Sequence, residues 1–252
     1  MITEVQPALD ATPTAQDIAA LEATVLNARF RGAPAEEVLR AVLDEHPGRV
    51  ALLSSFGAEA ALPLELLSRV APNTPVLFLD TRMHFAQTLD YRHDLAARLG
   101  LTDVRDLAPA AIDPRDPKND LWKSDPDACC GIRKVEPLDK VLPGFDVLIT
   151  GRKRFHGAGR LRLPLFEAID GVIRLNILAE IDLDTLERRF AETGLPRHPL
   201  HEAGFASIGC WPCTRPAQEG DATVRSGRWA GAEKTECGIH LPRARVSATI
   251  TA

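Results

Sequence analysis

The sequence predicts an α/β protein: a doubly wound, mostly parallel sheet followed by an irregular carboxyl-terminal tail. Three observations carry this. From Arg49 onward, short apolar runs alternate with longer segments of helical spacing, the pattern of repeated β-α-β units. Glycine-bearing, polar and basic stretches fall just after those runs, at the edge where open α/β sheets bind ligands. After Gly194 the apolar period stops and Pro, Gly and Arg dominate, so the last stretch reads as a lid or tail anchored by something other than a core.

Taken in chain order, residues 1–14 are rich in Thr, Pro and Ala without periodicity and read as a mobile leader. Residues 15–27 (Ile18, Leu21, Val25) and 34–46 (Val38, Leu39, Val42, Leu43) have helical apolar spacing, which predicts two amphipathic helices over 15–48 packed on the core. Strands are expected at Val50–Ser54, Val76–Leu79, Val104–Leu107, Val147–Thr150 and Val172–Asn176. Helices are expected at 60–70, 85–99 and 133–142, with a later one at 184–193 capped by Asp184. Residues 49–205 form the core and 206–252 the tail, within a single domain, since 252 residues suffice for one sizeable core.

Composition excludes several classes of function. Apolar residues at 45% and charged residues at 26% describe an ordinary soluble globular chain rather than a disordered one. No run of about 18 apolar residues is present, and the amino terminus lacks the basic segment and apolar stretch of a signal peptide. No membrane association is expected, and the cytoplasm is the default location. A net charge of −5 gives no broad footprint for nucleic acid, so an anionic ligand must be held by local clusters. Five cysteines in a cytosolic chain are ligands or reactive thiols more readily than disulfides, and the odd count leaves one thiol outside any four-ligand site.

Cys129 and Cys130 are adjacent, and Cys210-Trp211-Pro212-Cys213 supplies a second pair. Four thiolates from two short segments fit tetrahedral zinc or an iron–sulfur cluster. The adjacency favours the cluster, because neighbouring residues cannot easily aim both sulfurs at one small ion, whereas a cluster offers each its own iron. Unrelated buried thiols are the alternative. Cys237 stands alone in Lys234-Thr235-Glu236-Cys237-Gly238-Ile239-His240. A thiol near Lys and His can act as a nucleophile, and His240 is singled out for this closeness. Spacing alone leaves an inert thiol equally open, and Glu236 opposes thiolate formation.

Arg225 and Arg228 are three apart, and Gly227 between them permits a tight turn that converges both on one oxyanion. Arg133-Lys134 sits at an expected helix start, where free N–H groups also favour anions. Arg152, Lys153, Arg154 and Arg160 follow the fourth strand at the ligand edge. A solvated charged surface is the alternative for each group. The loop after the first strand lacks G-x-x-x-x-G-K-[ST] and G-x-G-x-x-G, which argues against ATP or NAD bound by those routes. Ser54, Ser55 and the Gly57 backbone can still cradle a small nucleotide.

Four motifs in order, Cys129-Cys130-Gly131-Ile132-Arg133-Lys134-Val135-Glu136-Pro137-Leu138, Cys210-Trp211-Pro212-Cys213-Thr214-Arg215-Pro216, Arg225-Ser226-Gly227-Arg228-Trp229 and the segment around Cys237, resemble the assimilatory adenylyl-sulfate reductases of bacteria. These form the iron–sulfur subclass of the adenylyl-sulfate/3′-phosphoadenylyl-sulfate reductase family. The likeness spans about 49–241. It implies an adenine-nucleotide hydrolase-like fold, one [4Fe–4S] cluster per subunit on Cys129, Cys130, Cys210 and Cys213, and a nucleophile at Cys237. By the same carry-over, Ser54, Ser55 and Gly57 match a modified phosphate loop, Lys134, Arg225 and Arg228 the phosphosulfate contacts, and Arg160 an arginine near the nucleotide. His240 is placed with these substrate-binding residues.

The implied activity is reduction of adenosine 5′-phosphosulfate to sulfite and AMP, in sulfate assimilation and cysteine biosynthesis. It would run through a Cys237 S-sulfonate resolved by thioredoxin or a similar dithiol protein. A homo-oligomer without a nucleic acid partner is expected. Three departures stand out: Lys153-Arg154-Phe155-His156-Gly157 replaces a common Arg-Arg-Asp-Gln-Ser, Pro126 replaces an occasional His, and the aromatic run after Arg228 is reduced to Trp229. The alternatives are dual use of the 3′-phosphorylated substrate, or a non-catalytic zinc-binding or redox-sensing protein. A nucleotide-activating enzyme of the same fold would need a Ser-Gly-Gly-x-Asp-Ser loop, which residues 54–59 do not supply.

Overall fold

A computed structural model describes residues 12–231 and 234–243. Most of the expected leader (1–11) and the end of the expected tail (244–252) lie outside the described residues.

Helix α1 (Ala15–Arg29) begins in a capping box, with Thr14 Oγ1 accepting from Asp17 N and the Asp17 carboxylate accepting from Thr14 N. Its inward face is not the expected one. Ile18, Leu21 and Val25 are exposed, while Ala19, Ala23 and Leu26 are buried. Small residues allow α1 to approach strand β5 (Phe166–Ile169) closely, and two amides bond that strand's backbone. Asn27 donates to Phe166 O (2.7 Å) and accepts from Phe166 N (2.9 Å), and Gln16 donates to Ala168 O (3.2 Å). Helix α2 (Ala35–Glu45) buries Val38, Leu39 and Val42 as its spacing predicts.

The other five strands are β1 (Val50–Ser54), β2 (Val76–Leu79), β3 (Val104–Leu107), β4 (Val147–Thr150) and β6 (Val172–Asn176), all where the apolar runs predict. The sheet order is β3-β2-β1-β4-β6-β5, parallel except for β5, which pairs antiparallel with β6. The sequence reading missed β5. Its signal is the hairpin turn Asp170-Gly171, both with positive φ (52° and 77°), a geometry that Asp-Gly adopts readily. One face of the sheet packs Leu52, Phe78, Ile149 and Leu175 in a core with α1, α2 and α3 (Ala61–Val70). The other packs Ala51, Leu53, Leu77 and Leu148 with Leu138, Leu142 and Ile239. The tail is therefore partly anchored in the core after all, through Ile239.

Helix α4 (Ala86–Leu99) ends at Gly100 in the left-handed conformation. The helix expected at 133–142 begins earlier and is broken into pieces. Asp125 caps α5 (Pro126–Cys130), a π-helical turn follows (Gly131–Val135), and α6 (Glu136–Asp139) completes it. Asp182, rather than Asp184, caps α7 (Leu183–Thr193), its Oδ1 accepting from Thr185 N at 2.6 Å. Beyond α7 the chain is tied down by two isolated bridges, His84 with Cys210 and Thr214 with Arg228. Among the described residues no helix is long and apolar enough to cross a membrane.

Successive strands leave β1 in opposite directions, β2 on one side and β4 on the other. A crevice forms at the carboxyl ends of strands where that reversal occurs. The loops after β1 and β4 open into it.

Candidate active site

A cavity of about 190 Å³ occupies that crevice. All nine residues expected to act on or bind the substrate line it together: Ser54, Ser55 and Gly57 after β1, Lys134 from the π turn, Arg160 after β4, and Arg225, Arg228, Cys237 and His240 from the tail. Six Lys or Arg side chains face two carboxylates in this wall, so the site is locally cationic in a chain of net charge −5. Such a surplus selects an anion.

The β1 loop is shaped by its own backbone. Ser54 Oγ accepts from Phe56 N (3.1 Å), and Phe56 has a φ of 46° that carries the chain sharply away from the strand. A Cβ on Gly57 would meet Ile208 O at 3.0 Å, so the glycine lets the tail lie flush on the loop. Gly209 matters more. A Cβ there would stand 2.2–2.7 Å from the Arg228 guanidinium, which rests against the bare backbone. Gly209→Ala is therefore expected to displace Arg228 and weaken binding of an anion such as inorganic pyrophosphate by about tenfold (one lost charge-assisted contact) with little loss of Tm, as calorimetric titration would measure. Gly227 does not act through a special turn, since its φ is not positive. It makes room for Arg215 O, which a Cβ would meet at 2.5 Å.

The segment before Cys237 is strapped at three successive points. Lys234 pairs with Asp127, Thr235 O accepts from Arg225 (3.1 Å), and the Glu236 carboxylate accepts from Arg160 Nε and Nη2 at 2.5 and 2.8 Å. The Glu236 charge that argued against a Cys237 thiolate is thus consumed by Arg160, with Arg225 a further 3.7 Å away. Burial pushes the Glu236 carboxyl up, but these arginines more than offset it and hold it ionised. Cys237 is half-buried and packs beside the core that takes Ile239.

The loop after β4 departs from the resembled motif, and the structure gives its residues other partners. Lys153 Nζ and His156 Nε2 both reach Glu59 Oε2 at 2.8 Å, and His156 Nδ1 lies 3.2 Å from Arg160. Burial raises the Glu59 carboxyl, yet Lys153 and His156 pull it down to about 2. Arg154 turns away to Leu163 O. Arg152 donates to Asn176 Oδ1 and pairs with Glu167, and burial lowers its pKa to about 10. Sequence reasoning missed Glu59 and Asn176, because their significance rests on partners brought from distant loops. His240 is pushed well below its usual pKa by burial and by Arg152, Arg160, Arg174 and Arg225, so it serves as a neutral imidazole.

Arg133 is not an anion site. Its guanidinium is buried and pairs with Asp116 (2.7 Å), Asn119 (2.7 Å) and Thr81 O (3.1 Å). Lys134 alone of that pair enters the cavity.

Behind Lys134 lies a second, smaller cavity lined by all four paired cysteines, with Trp122 and Pro212. Cys129 and Cys130 project from the last turn of α5. The Cys210 segment is brought to them by its bridge to His84 and by Trp211 N donating to Met83 O (2.8 Å). Burial raises the Cys129 thiol to about 11. Burial also raises the Cys210 thiol, but Lys134, Thr81 and Arg228 reverse this and leave it lowered. Burial lowers the Lys134 ammonium in turn, and Cys130, Cys210 and Cys237 more than restore it. Four cysteines line this one space, a donor set whose chemistry suits a thiolate-bound group, although among the described residues no three His, Cys, Asp or Glu side chains are gathered closely enough to hold a metal ion.

The defining pattern of the phosphoadenosine phosphosulfate reductase domain matches residues 49–216. An adenosine 5′-phosphosulfate reductase of Chelativorans sp. is 43% identical over 228 residues, covering 89% of this chain and 93% of that protein. One of Mesorhizobium japonicum is 42% identical over 252 residues, covering 99% and 98%. Among solved structures, the phosphate complex of phosphoadenylyl-sulfate reductase from Candida auris aligns with a TM-score of 0.67 at 26% identity, over 77% of this chain and 96% of that one. The FMN adenylyltransferase of Candida glabrata, at 14% identity and a TM-score of 0.55, shares the fold alone. The matched pattern spans the sheet that frames the cavity, and the relatives extend the likeness over the tail that completes it: this chain belongs to the phosphoadenosine phosphosulfate reductase domain family.

Proposed function

We propose that this chain reduces adenosine 5′-phosphosulfate to sulfite and AMP. The carrying observation is the convergence of Cys237 with Lys134, Arg160, Arg225 and Arg228 on one cavity at the nucleotide edge of the sheet. In this reading the Cys237 thiolate attacks the sulfuryl sulfur, a sulfur–sulfur bond forms, the sulfur–oxygen bond to phosphate breaks, and AMP leaves with the electron pair. Lys134, Arg225 and Arg228 offset charge on the sulfuryl and leaving phosphate oxygens. Neutral His240 can donate a hydrogen bond to the same oxygens. A dithiol protein of the thioredoxin kind then attacks Cys237 Sγ and releases sulfite, and its second thiol resolves the mixed disulfide, supplying two electrons.

Cys129, Cys130, Cys210 and Cys213 would hold a [4Fe–4S] cluster, whose contribution when bound is a fixed local charge behind Lys134. Lys134 and Cys210 belong to both cavity walls, so they relate the thiols to the anion site. The soluble, cytoplasmic setting proposed from composition supplies the reducing conditions this chemistry needs.

The test is to incubate purified protein with substrate labelled in the sulfuryl group, without a dithiol, and digest it. One labelled S-sulfonate per chain on the Cys237 peptide is expected. Labelled sulfate alone, or a label on another cysteine, would overturn the reading.

A further inference from the structure

Four cationic groups face one indole. Arg228 Cζ lies 4.6 Å from the centroid of Trp229, Lys234 Nζ 5.6 Å, Arg225 Cζ 5.7 Å and Lys134 Nζ 6.0 Å. All are within the range of cation–π attraction. Among the described residues Phe30, Phe78, Trp122 and Phe190 each hold a single cation in this way. Trp229 is 5% exposed and lines the main cavity. Its φ is 49°, a region that disfavours bulky residues, so the surrounding tail holds the ring in place rather than local preference. Trp229 N donates to Cys213 O (3.0 Å), tying the ring's backbone to a cysteine of the second cavity.

Like charges gathered this closely repel, and partial burial removes the water that would screen them. Lys234 has Asp127, and Arg225 has Glu236 at 3.7 Å. Among the described residues neither Lys134 nor Arg228 has a carboxylate partner. Lys134 approaches Cys130 Sγ (3.7 Å), and Arg228 donates to Cys213 O (3.3 Å). The π system of Trp229 is shared by all four cations.

We infer that Trp229 is a positioning residue, a cation–π hub that keeps Lys134, Arg225 and Arg228, which line the cavity, gathered there before the anion arrives, with Lys234 held beside them on the same ring. It touches no reacting atom and acts through the four cations. An anion site assembled in advance spares the bound state the cost of gathering the charges. The inference rests on the phosphosulfate reading for the identity of the anion, but the hub itself requires only an anion with several oxygens.

Site-specific incorporation of mono- to tetrafluorotryptophan at position 229 tests this, since fluorine drains π density while nearly preserving the ring's shape. The rate of Cys237 S-sulfonation and the affinity for inorganic pyrophosphate are expected to fall stepwise with fluorine number, by about tenfold across the series. Trp229→Phe should fall between wild type and Trp229→Leu. A flat response of both readouts to fluorination would show that the ring only fills space and would overturn the proposal, even if Trp229→Leu were unstable. If pyrophosphate affinity follows the fluorine number while no adduct forms from adenosine 5′-phosphosulfate in any version, the hub stands and the proposed function falls. If the adduct forms in every version and both readouts stay flat, the proposed function stands and the hub falls.

Discussion

Cys237→Ser is expected to abolish labelled S-sulfonate formation and to lower sulfite release by at least about 10³-fold, as losses of covalent nucleophiles do. A hydroxyl stays protonated at neutral pH where a thiol is partly ionised, so the variant loses the attacking species while almost preserving shape. Cys237 belongs to neither the small cavity of the paired cysteines nor the Lys234–Asp127 and Arg160–Glu236 ion pairs that strap its segment. Iron content, Tm and AMP affinity should therefore match wild type. Rapid-quench single turnovers with labelled substrate measure the first step, and sulfite assay with thioredoxin measures the second. Sulfite release near the wild-type rate would remove Cys237 from the mechanism.

The largest effect on stability is expected from Arg133→Ala. Arg133 and Asp116 form a buried ion pair with side chains 5% and 1% exposed, and Asp116 Oδ1 also accepts from Asp120 N (2.8 Å) and Leu121 N (3.0 Å). Removing the guanidinium strands a buried carboxylate and unpins the 113–121 loop from the π turn, at a cost of about 3–5 kcal/mol. For a chain of this size that lowers Tm by roughly 10 °C. Thermal unfolding with and without Asp116→Asn in the same chain checks the cause, because the double variant leaves no buried charge and should recover part of the loss. At temperatures where Arg133→Ala remains folded, AMP affinity should stay close to wild type, whereas an anion-binding Arg133 would lower it.

Most of this architecture was legible because its signals are local. Of the five parallel strands, β1, β2, β4 and β6 are buried along their whole length and read as largely apolar runs, while the edge strand β3 is marked only by Val104 and Leu107. Helix α1 misled for a physical reason: its core-facing side is built mostly from small residues, whose weak apolar signal is outweighed in sequence by the exposed Ile18, Leu21 and Val25. Ala19 and Ala23 are buried there with Leu26, while the exposed Gln16 and the half-buried Asn27 bond the backbone of β5. The split helix around Cys130 was hidden because a π turn has no composition of its own.

The candidate site divides the same way. Residue types with strong chemistry, the cysteines and the arginines near them, stand out in one dimension. Their partners do not. Arg133 and Lys134 look alike in sequence, yet one is buried against Asp116 and the other enters the cavity, because successive residues on a helical turn point in different directions. Glu236 opposed the nucleophile on paper, and it is Arg160, 76 positions away in sequence, with Arg225 beside it, that reverses this. Gly209 carries no chemical group at all, and its importance is visible only as the guanidinium lying against it.

The amides of α1 along β5 bear on how the protein behaves in solution. A short antiparallel strand at the end of a sheet offers unpaired backbone groups to any neighbouring chain, which is how soluble proteins begin to stick to one another. Gln16 and Asn27 occupy several of those groups from within the same molecule. At the opposite margin β3 carries Arg105 and Asp106, charges that discourage stacking. The amino-terminal helix is thus a guard against aggregation, set at the margin of the sheet.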